Sequence, residues 1–565
     1  MKPLSGLDGA FLHLETPATP MHVASLHCFD VPPGYRKHFA GEIRRQLQRR
    51  LHLAPVLLRK LAPMPLQFAN PVWVEEPAPD LDWHVTELSL PEPGTRAQLE
   101  DCAGALHSQL LDRSRPLWQI TVIDGLASGQ KAYYVKIHHA LLDGQAGVML
   151  AKVLFDLAPQ PAVAARKAKA SLAPPPGDLA DAASQAESPG MLALAAAALR
   201  HDAAQYVKLV RHLPEVVTTL AGLLGLGGGR GDKKKDEAAA PAGKGRLGQN
   251  FAFGPKTPLN VPITGERGFA GVTLPLELLQ QLAAQHEAKL NDIVLALCSG
   301  ALRRYLDRHG GIPRRPLIAT MPISLRGAGQ SEKDREFNTQ ATLSLVNLHT
   351  HLADPVRRLR AIRDAAGAVK ALARTAKSVI PTDFPSIGTP WLLQGLAALY
   401  GKTRLAGAIP PIANVVISNV PGPPMPLYAA GARMTDYWPL SITEHGVGLN
   451  ITVMSYAGTM GFGFTTARCA VPDARELSAA LLEALDELVS PPVKRPRRAP
   501  ARKAAAEQGA TERADAAQLP TKKATKKATK KVAAKKATAK KASANPAKAP
   551  TKKVPQKALK KPTQP

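Results

Sequence analysis

Residues 132–150 read AYYVKIHHALLDGQAGVML. The opening run is rich in β-branched and aromatic residues, which is a strand composition. The closing QAGVML, extended by AKVLFDL, has helical spacing of its apolar residues. Between them HHALLDG, His138 to Gly144, sets two histidines at a strand end. Imidazole titrates near neutral pH, so a neutral ring can take a proton from a hydroxyl and return it to a leaving group. Asp143 would orient a ring or fix the loop through an ion pair. Gly144 would permit a backbone angle or a close approach that a side chain forbids. A satisfied surface turn would show the same spacing. A metal site fits it less well, because adjacent histidines on a strand point to opposite faces and no HExxH helix accompanies them.

Elements of the same kind flank this stretch. HVASLHCF from His22 and WQITVIDG from Trp118 read as strands, and YRKHFAGEIRRQLQRRL and RAQLEDCAGALHSQLL as amphipathic helices. Strands spread among helices imply a mixed sheet with helices packed against it. Residues 158–189 are Ala/Pro-rich and read as a linker. A helical pattern follows over Tyr206–Leu224, interrupted by Pro214, and then the Gly/Lys/Asp-rich run GLGGGRGDKKKDEAAAPAGKG. Patterning resumes near Phe251 with the strands PLIATMPISL, ANVVISNV, GLNITVMSY and TMGFGFTT and a closing helix from Pro472 to Leu488. The expected fold is therefore α/β (α+β). Its parts are an N-terminal lobe (1–157), a connector carrying an amphipathic helix (158–249), a C-terminal lobe (250–490) and a tail (491–565).

The tail differs in chemistry. Of the chain's 565 residues and net charge of +28, residues 491–565 hold 23 Lys+Arg against 3 Asp+Glu. The first 490 carry 50 against 42, an ordinary balance. Repeats such as TKKATKKATKK offer too little apolar area to offset the entropy of ordering, so the tail reads as disordered. Four cysteines (Cys28, Cys102, Cys298, Cys469) lie far apart with no CxxC pair, which argues against a disulfide scaffold and a structural zinc site. The N-terminus lacks a cationic, then apolar, signal pattern, and no run of 18 uncharged apolar residues would span a bilayer.

HHALLDG resembles the HHxxxDG signature of the CoA-dependent acyltransferase superfamily, which includes chloramphenicol acetyltransferase and peptide-synthetase condensation domains. LSGLDGAFLHLETPATPMHV, LDRSRPLWQ, LNDIVLALCSGALRRYL, MPISLR, VVISNVPGPPMPLY and GLNITVMSYAG, in that order, narrow the likeness. Together they resemble the bacterial wax ester synthase/diacylglycerol acyltransferase family over about residues 4–157 and 250–489. The resemblance implies two chloramphenicol-acetyltransferase-like lobes with a tunnel between them. It implies His139 as general base for an alcohol attacking an acyl-CoA thioester, with no covalent acyl-enzyme. His138 would have a positioning role, and Asp143 a structural ion pair for which Arg326 is a conceivable partner.

Further residues carry over from the family's motifs. Asn291 and Asp292 match its ND motif at a helix start, where capping of free N–H groups is the plainer role. Pro116, Leu117 and Trp118 match PLW, which reads first as a buried anchor and second as substrate contact. Ser418 and Asn419 lie where a strand meets a proline-fixed turn and would line the CoA or acyl channel. The implied reaction moves a long-chain acyl group to diacylglycerol or a fatty alcohol. No metal or prosthetic group is expected, CoA arriving with the substrate. Cytoplasmic, peripheral attachment to a membrane or lipid inclusion is expected. The helix at 206–224 would pack on the body with transient membrane contact, and the tail would bind DNA or anionic lipid. The rivals are a condensation-type enzyme using a carrier-protein thioester and a noncatalytic lipid-body or nucleoid-binding protein.

Overall fold

Two six-stranded mixed sheets organise the computed structural model, which describes residues 2–4, 6–62, 70–141, 150–151, 153–159, 253–324, 341–375 and 410–490. Asp143, Gly144, Arg326, the helical pattern at 206–224 and the basic tail lie outside the described residues. The first half contains β1 (Lys2–Pro3), α1 (Gly6–Leu14), β2 (His22–Asp30), α2 (Phe39–Arg50), β3 (Arg59–Ala62) and β4 (Val72–Glu75). It continues with α3 (Leu81–His84), β5 (Val85–Ser89), α4 (Arg96–Ser108), β6 (Trp118–Asp124) and β7 (Lys131–His138). The second half has β8 (Arg267–Pro275), α5 (Leu276–Gln285), α6 (Leu290–Arg308), β9 (Ile318–Ser324), β10 (Ala341–Asn347) and α7 (Pro355–Thr375). It ends with β11 (Val415–Val420), β12 (Tyr428–Ala429), β13 (Ala432–Leu440), β14 (Leu449–Tyr456), β15 (Thr459–Ala467) and α8 (Arg475–Val489).

Local chemistry accounts for the main elements. α4 begins with a reciprocal cap. The Gln98 N–H donates to Thr95 Oγ1 at 3.2 Å, and the Thr95 N–H donates to Gln98 Oε1 at 2.7 Å. β7 is buried on both faces, which is why AYYV places apolar and aromatic residues on both sides of the strand rather than alternating them with polar ones. α6 is buried over most of its length and packs with α7 and α8 on one face of the second sheet. The core there includes Ile293, Leu297, Leu302, Ile417, Ile451, Phe462 and Leu481.

The first sheet has the order β12-β13-β2-β7-β6-β5, the second β10-β9-β11-β14-β15-β8, and a small sheet pairs β1, β4 and β3. Two strands from residues 428–440 thus complete the N-terminal sheet, although they lie within the stretch whose sequence reads as the C-terminal lobe. β13 runs antiparallel to β2, with Tyr437 opposite His27 and Leu440 opposite Ala24. Its Pro439 lacks an N–H to donate. The strand tolerates it because β12 covers only Arg433 and Ala432, leaving the rest of that side free.

β13 also lies across the second sheet, and glycines make the contact possible. On β15 the alternation Met460, Phe462, Phe464 fills the helix-covered core, while Gly461 and Gly463 face β13. A Cβ at Gly463 would sit 1.8 Å from the Pro439 carbonyl oxygen, and one at Gly461 2.2 Å from that of Tyr437. Gly271 on β8, paired with Gly463, leaves room for the Trp438 indole, whose Nε1 donates to Thr273 Oγ1 at 2.9 Å. Gly463→Val should therefore lower stability by about 1–3 kcal/mol through overpacking. Gly367→Ala, where no atom stands within 4 Å, should raise it slightly by helix propensity. Urea midpoints of the two variants check this; equal shifts would refute the glycine-face account.

Candidate active site

The motif strand is fixed from both sides. The His138 N–H donates to the Leu117 carbonyl at 3.0 Å, and the His139 N–H to that of Met21 at 2.9 Å. Leu117 and Trp118 are themselves buried. The Trp118 indole stacks on His84 with centroids 4.1 Å apart and donates to the Leu57 carbonyl at 2.8 Å. Pro116, Leu117 and Trp118 thus sit as an anchor under the motif. Lys136, two residues before it, is buried and donates to the carbonyls of Leu106 and Gln109 at 3.0 and 2.8 Å, at the C-terminal end of α4. Burial brings its pKa down to about 8.

His138 is fully buried, and its Nδ1 accepts the Ala140 N–H at 3.1 Å. Its other nitrogen, Nε2, lies 3.3 Å from Glu15 Oε2. That contact is within ion-pair reach but not aligned as a full hydrogen bond. Glu15 is in turn held by Arg113, whose Nη2 and Nε donate to Oε1 at 2.8 and 3.2 Å, and by the Met21 N–H at 3.1 Å. Burial pushes the Glu15 carboxyl up, but His138 and Arg113 together pull it further down, to about 2. His138 therefore sits in a positioning network of three side chains.

His139 differs. Its ring stacks on Phe11 of α1, centroids 4.0 Å apart and planes 25° from parallel, and both residues keep part of their surface accessible. Burial, with His138 alongside, lowers its pKa to about 4, so the imidazole is neutral at physiological pH. The residue is part-accessible and its ring uncharged, the state in which an imidazole can take a proton from a hydroxyl.

In the second half, Asn419 Nδ2 donates to Asn291 Oδ1 at 3.4 Å, so two of the motif residues meet at the start of α6. Asp292 is a cap: its buried Oδ2 accepts the Lys289 N–H at 2.9 Å. Ser418 points to the other face of β11, in register with Thr452, which donates to Asn450 Oδ1 at 2.8 Å. Asn450 donates to the Ile442 carbonyl at 2.9 Å. Among the described residues no three His, Cys, Asp or Glu side chains are grouped to hold a metal ion. Glu15, Arg113 and Phe11 were not singled out by sequence reasoning. They lie inside quoted segments, but nothing in the spacing links residues 98 positions apart.

The chain matches two family models: the wax ester synthase/diacylglycerol acyltransferase catalytic domain over residues 4–294 and the corresponding C-terminal domain over 339–489. Two Mycobacterium tuberculosis proteins, both named provisionally as diacylglycerol O-acyltransferases, are similar to it. One is 33% identical, covering 86% of this chain and 90% of its own. The other is 34% identical, covering 86% and 99%. The solved wax ester synthase/diacylglycerol acyltransferase from Marinobacter aquaeolei VT8 superposes with a TM-score of 0.59 at 27% identity, over 86% of this chain and 98% of that one.

Two predictions follow from the electrostatics. Glu15→Gln removes the carboxylate that Arg113 and the Met21 N–H bind and should destabilise the fold by about 1–2 kcal/mol in urea titrations, the 43% exposure of Arg113 screening part of the loss. No change would show that the network adds nothing. Separately, burial holds His27 and His107 at about 3, and His84 at about 4, against 6.5 unfolded. The unfolded chain binds their protons first as pH falls below 6.5, so stability is full above that pH. It declines below it, by about 1.4 kcal/mol per pH unit for each group. Circular dichroism should show cooperative acid unfolding between about pH 6 and 4; a native spectrum at pH 4 would contradict the buried neutral state.

Proposed function

Because the chain belongs to the wax ester synthase/diacylglycerol acyltransferase family, we propose His139 as the general base of its acyl transfer, from long-chain acyl-CoA to diacylglycerol or a fatty alcohol. The observation that carries this is a part-accessible residue with a neutral ring beside a fully buried, carboxylate-held His138. The acceptor oxygen attacks the thioester carbonyl carbon as its proton passes to the imidazole. The tetrahedral intermediate then breaks its C–S bond, and the protonated ring returns the proton to the CoA thiolate. Both substrates bind together, so positioning supplies a large share of the acceleration. Asn291 and Asn419 would line the approach of the CoA thioester from the second lobe, Ser418 facing the other side of β11, and Asp143 would brace the motif loop through an ion pair. CoA enters as substrate, and the reaction invokes no metal or prosthetic group. Matches to the family over both halves leave a carrier-protein thioester donor or a noncatalytic role unfavoured.

No described helix is long and apolar enough to cross a membrane. We propose a cytoplasmic enzyme that meets its lipid acceptor at a membrane or inclusion surface. The net +20 of residues 491–565 would draw it to polyanions at low salt. Retention of the full chain and of the chain lacking residues 491–565 on anionic vesicles and on duplex DNA separates the two targets. Equal retention of both chains on both surfaces would remove the tail's role.

Labelled palmitoyl-CoA offered with hexadecanol or diolein tests the reaction and ranks the acceptors. Folded His139→Ala should lose ester synthesis by about 100-fold or more; near-full activity would displace His139 as the base. Since the base must be neutral and its pKa is pressed to about 4, kcat/KM should stay level from pH 8 down to the acid-unfolding edge. An acid limb near 6.5 would show an unperturbed imidazole instead.

A further inference from the structure

One face of the N-terminal sheet carries polar groups that the reaction above does not use. Register places Val23, Ser25 and His27 of β2 beside Ile137, Val135 and Tyr133 of β7. On β13, Pro439 is opposite Ser25 and Tyr437 opposite His27. The far end of this row is Met21, whose carbonyl holds the His139 N–H. Val23 and Ser25, on the interior strand β2, and Tyr437, on the stretch of β13 that β12 leaves uncovered, all keep part of their surface accessible, as does His139. Accessible surface thus recurs along this face at His139, Val23, Ser25 and Tyr437, between the buried Met21, Ile137, Val135, Tyr133 and His27.

The row passes apolar Val23, Ile137 and Val135 and reaches a polar cluster. Ser25 Oγ lies 2.8 Å from His27 Nε2, and the Tyr437 ring packs edge-on against the same imidazole. Aromatic rings enclose His27: Tyr437 with centroids at 4.3 Å, Tyr133 at 5.1 Å and Phe155 at 5.3 Å. Two polar atoms there have no hydrogen-bond partner among the described residues, His27 Nδ1 and Tyr133 Oη, on side chains 1% and 0% exposed. Burial keeps His27 neutral, so its ring has one donor and one acceptor nitrogen. A buried orphan of this kind carries a desolvation cost that an oxygen-bearing ligand would relieve.

We infer that the Ser25–His27–Tyr437 cluster, with Tyr133, is a subsite for a second oxygen on a long alkyl substrate chain, a hydroxyl remote from the reacting end. Four to six strand residues separate Met21 from Ser25 and His27, about 13–20 Å at 3.3 Å per residue. That reach exceeds the spacing between neighbouring oxygens of a glycerol ester and matches an α,ω-diol acceptor or an ω-hydroxyacyl thioester. This inference rests on the acyl-transfer reading for its substrate class, but not for its binding test.

Two kinetic arms distinguish the sources: 1,16-hexadecanediol against hexadecanol with palmitoyl-CoA, and 16-hydroxypalmitoyl-CoA against palmitoyl-CoA with hexadecanol. The hydroxylated chain should be favoured about tenfold in kcat/KM in one arm, the worth of one net hydrogen bond. The arm showing it identifies the donor or the acceptor as the occupant. His27→Phe, which keeps an aromatic ring, and Tyr437→Phe should each bring that ratio to its statistical value, about two for the diol with its two reactive ends and about one for the thioester. A ratio cancels any general loss of activity or folded fraction. Calorimetry of 1,12-dodecanediol against dodecanol on the whole protein reads the same preference without turnover, so failure of transfer chemistry and failure of the subsite stay distinct. Equal treatment of plain and hydroxylated chains, beyond that statistical value, by the unsubstituted protein in all three measurements overturns the inference. So does a preference above it that survives both substitutions.

Discussion

Backbone lies directly on backbone where β13 crosses β15, and the site's arrangement depends on that contact. With Gly461 and Gly463 leaving no side chain in the gap, the carbonyls of Tyr437 and Pro439 approach the second sheet within what a methyl group would occupy. Because β13 is at the same time hydrogen-bonded to β2, the second sheet is locked to the first without relying on long side chains. Past Leu440 the chain continues the linkage. Ser441 donates its N–H to Thr465 Oγ1 at 3.1 Å, and its carbonyl faces His107 Nε2 at 3.1 Å. The His107 carbonyl faces His22 Nε2 at 2.9 Å, and His22 is paired with His138. A continuous hydrogen-bonded path thus connects the motif strand to the second sheet.

The two histidines of the motif divide labour by environment. His138 is sealed, with one nitrogen on a backbone N–H and the other toward an anionic carboxylate, so its orientation is settled by the fold. His139, one residue on, begins a 3-10 turn, which releases it from the ladder and sets it against Phe11. In the proposed role its low pKa would make it a weaker base than free imidazole, but a neutral one at every physiological pH. The barrier would then be met by orientation and by charge stabilisation in the site more than by basicity.

Much of this was legible in the chain. β2, β6, β7, β11, β14 and β15 read correctly because their β-branched and aromatic runs are buried on at least one face and bounded by turns. β13 did not: ARMTDYWPL carries Arg433, Asp436 and Pro439, and it becomes a strand only because β2 offers an unpaired edge and the glycines offer a surface. The ND pair separated as capping chemistry suggests, Asp292 into a cap and Asn291 toward Asn419. Glu15 and Arg113 stayed invisible, since an ion pair between distant segments leaves no mark on local periodicity. The PLW residues behaved as the anchor their apolar character implies, passing a carbonyl to the motif strand.

The late position of β13 in the chain bears on how the protein is made. During synthesis β2 emerges more than 400 residues ahead of the strand that covers its edge, so the growing N-terminal half exposes a long, apolar, hydrogen-bonding rim throughout translation of everything between. That rim is a template for wrong partners, including the same strand on a neighbouring nascent chain. Fragments ending before residue 432 would share the exposure permanently, and the first sheet closes only once residues 432–440 have been made.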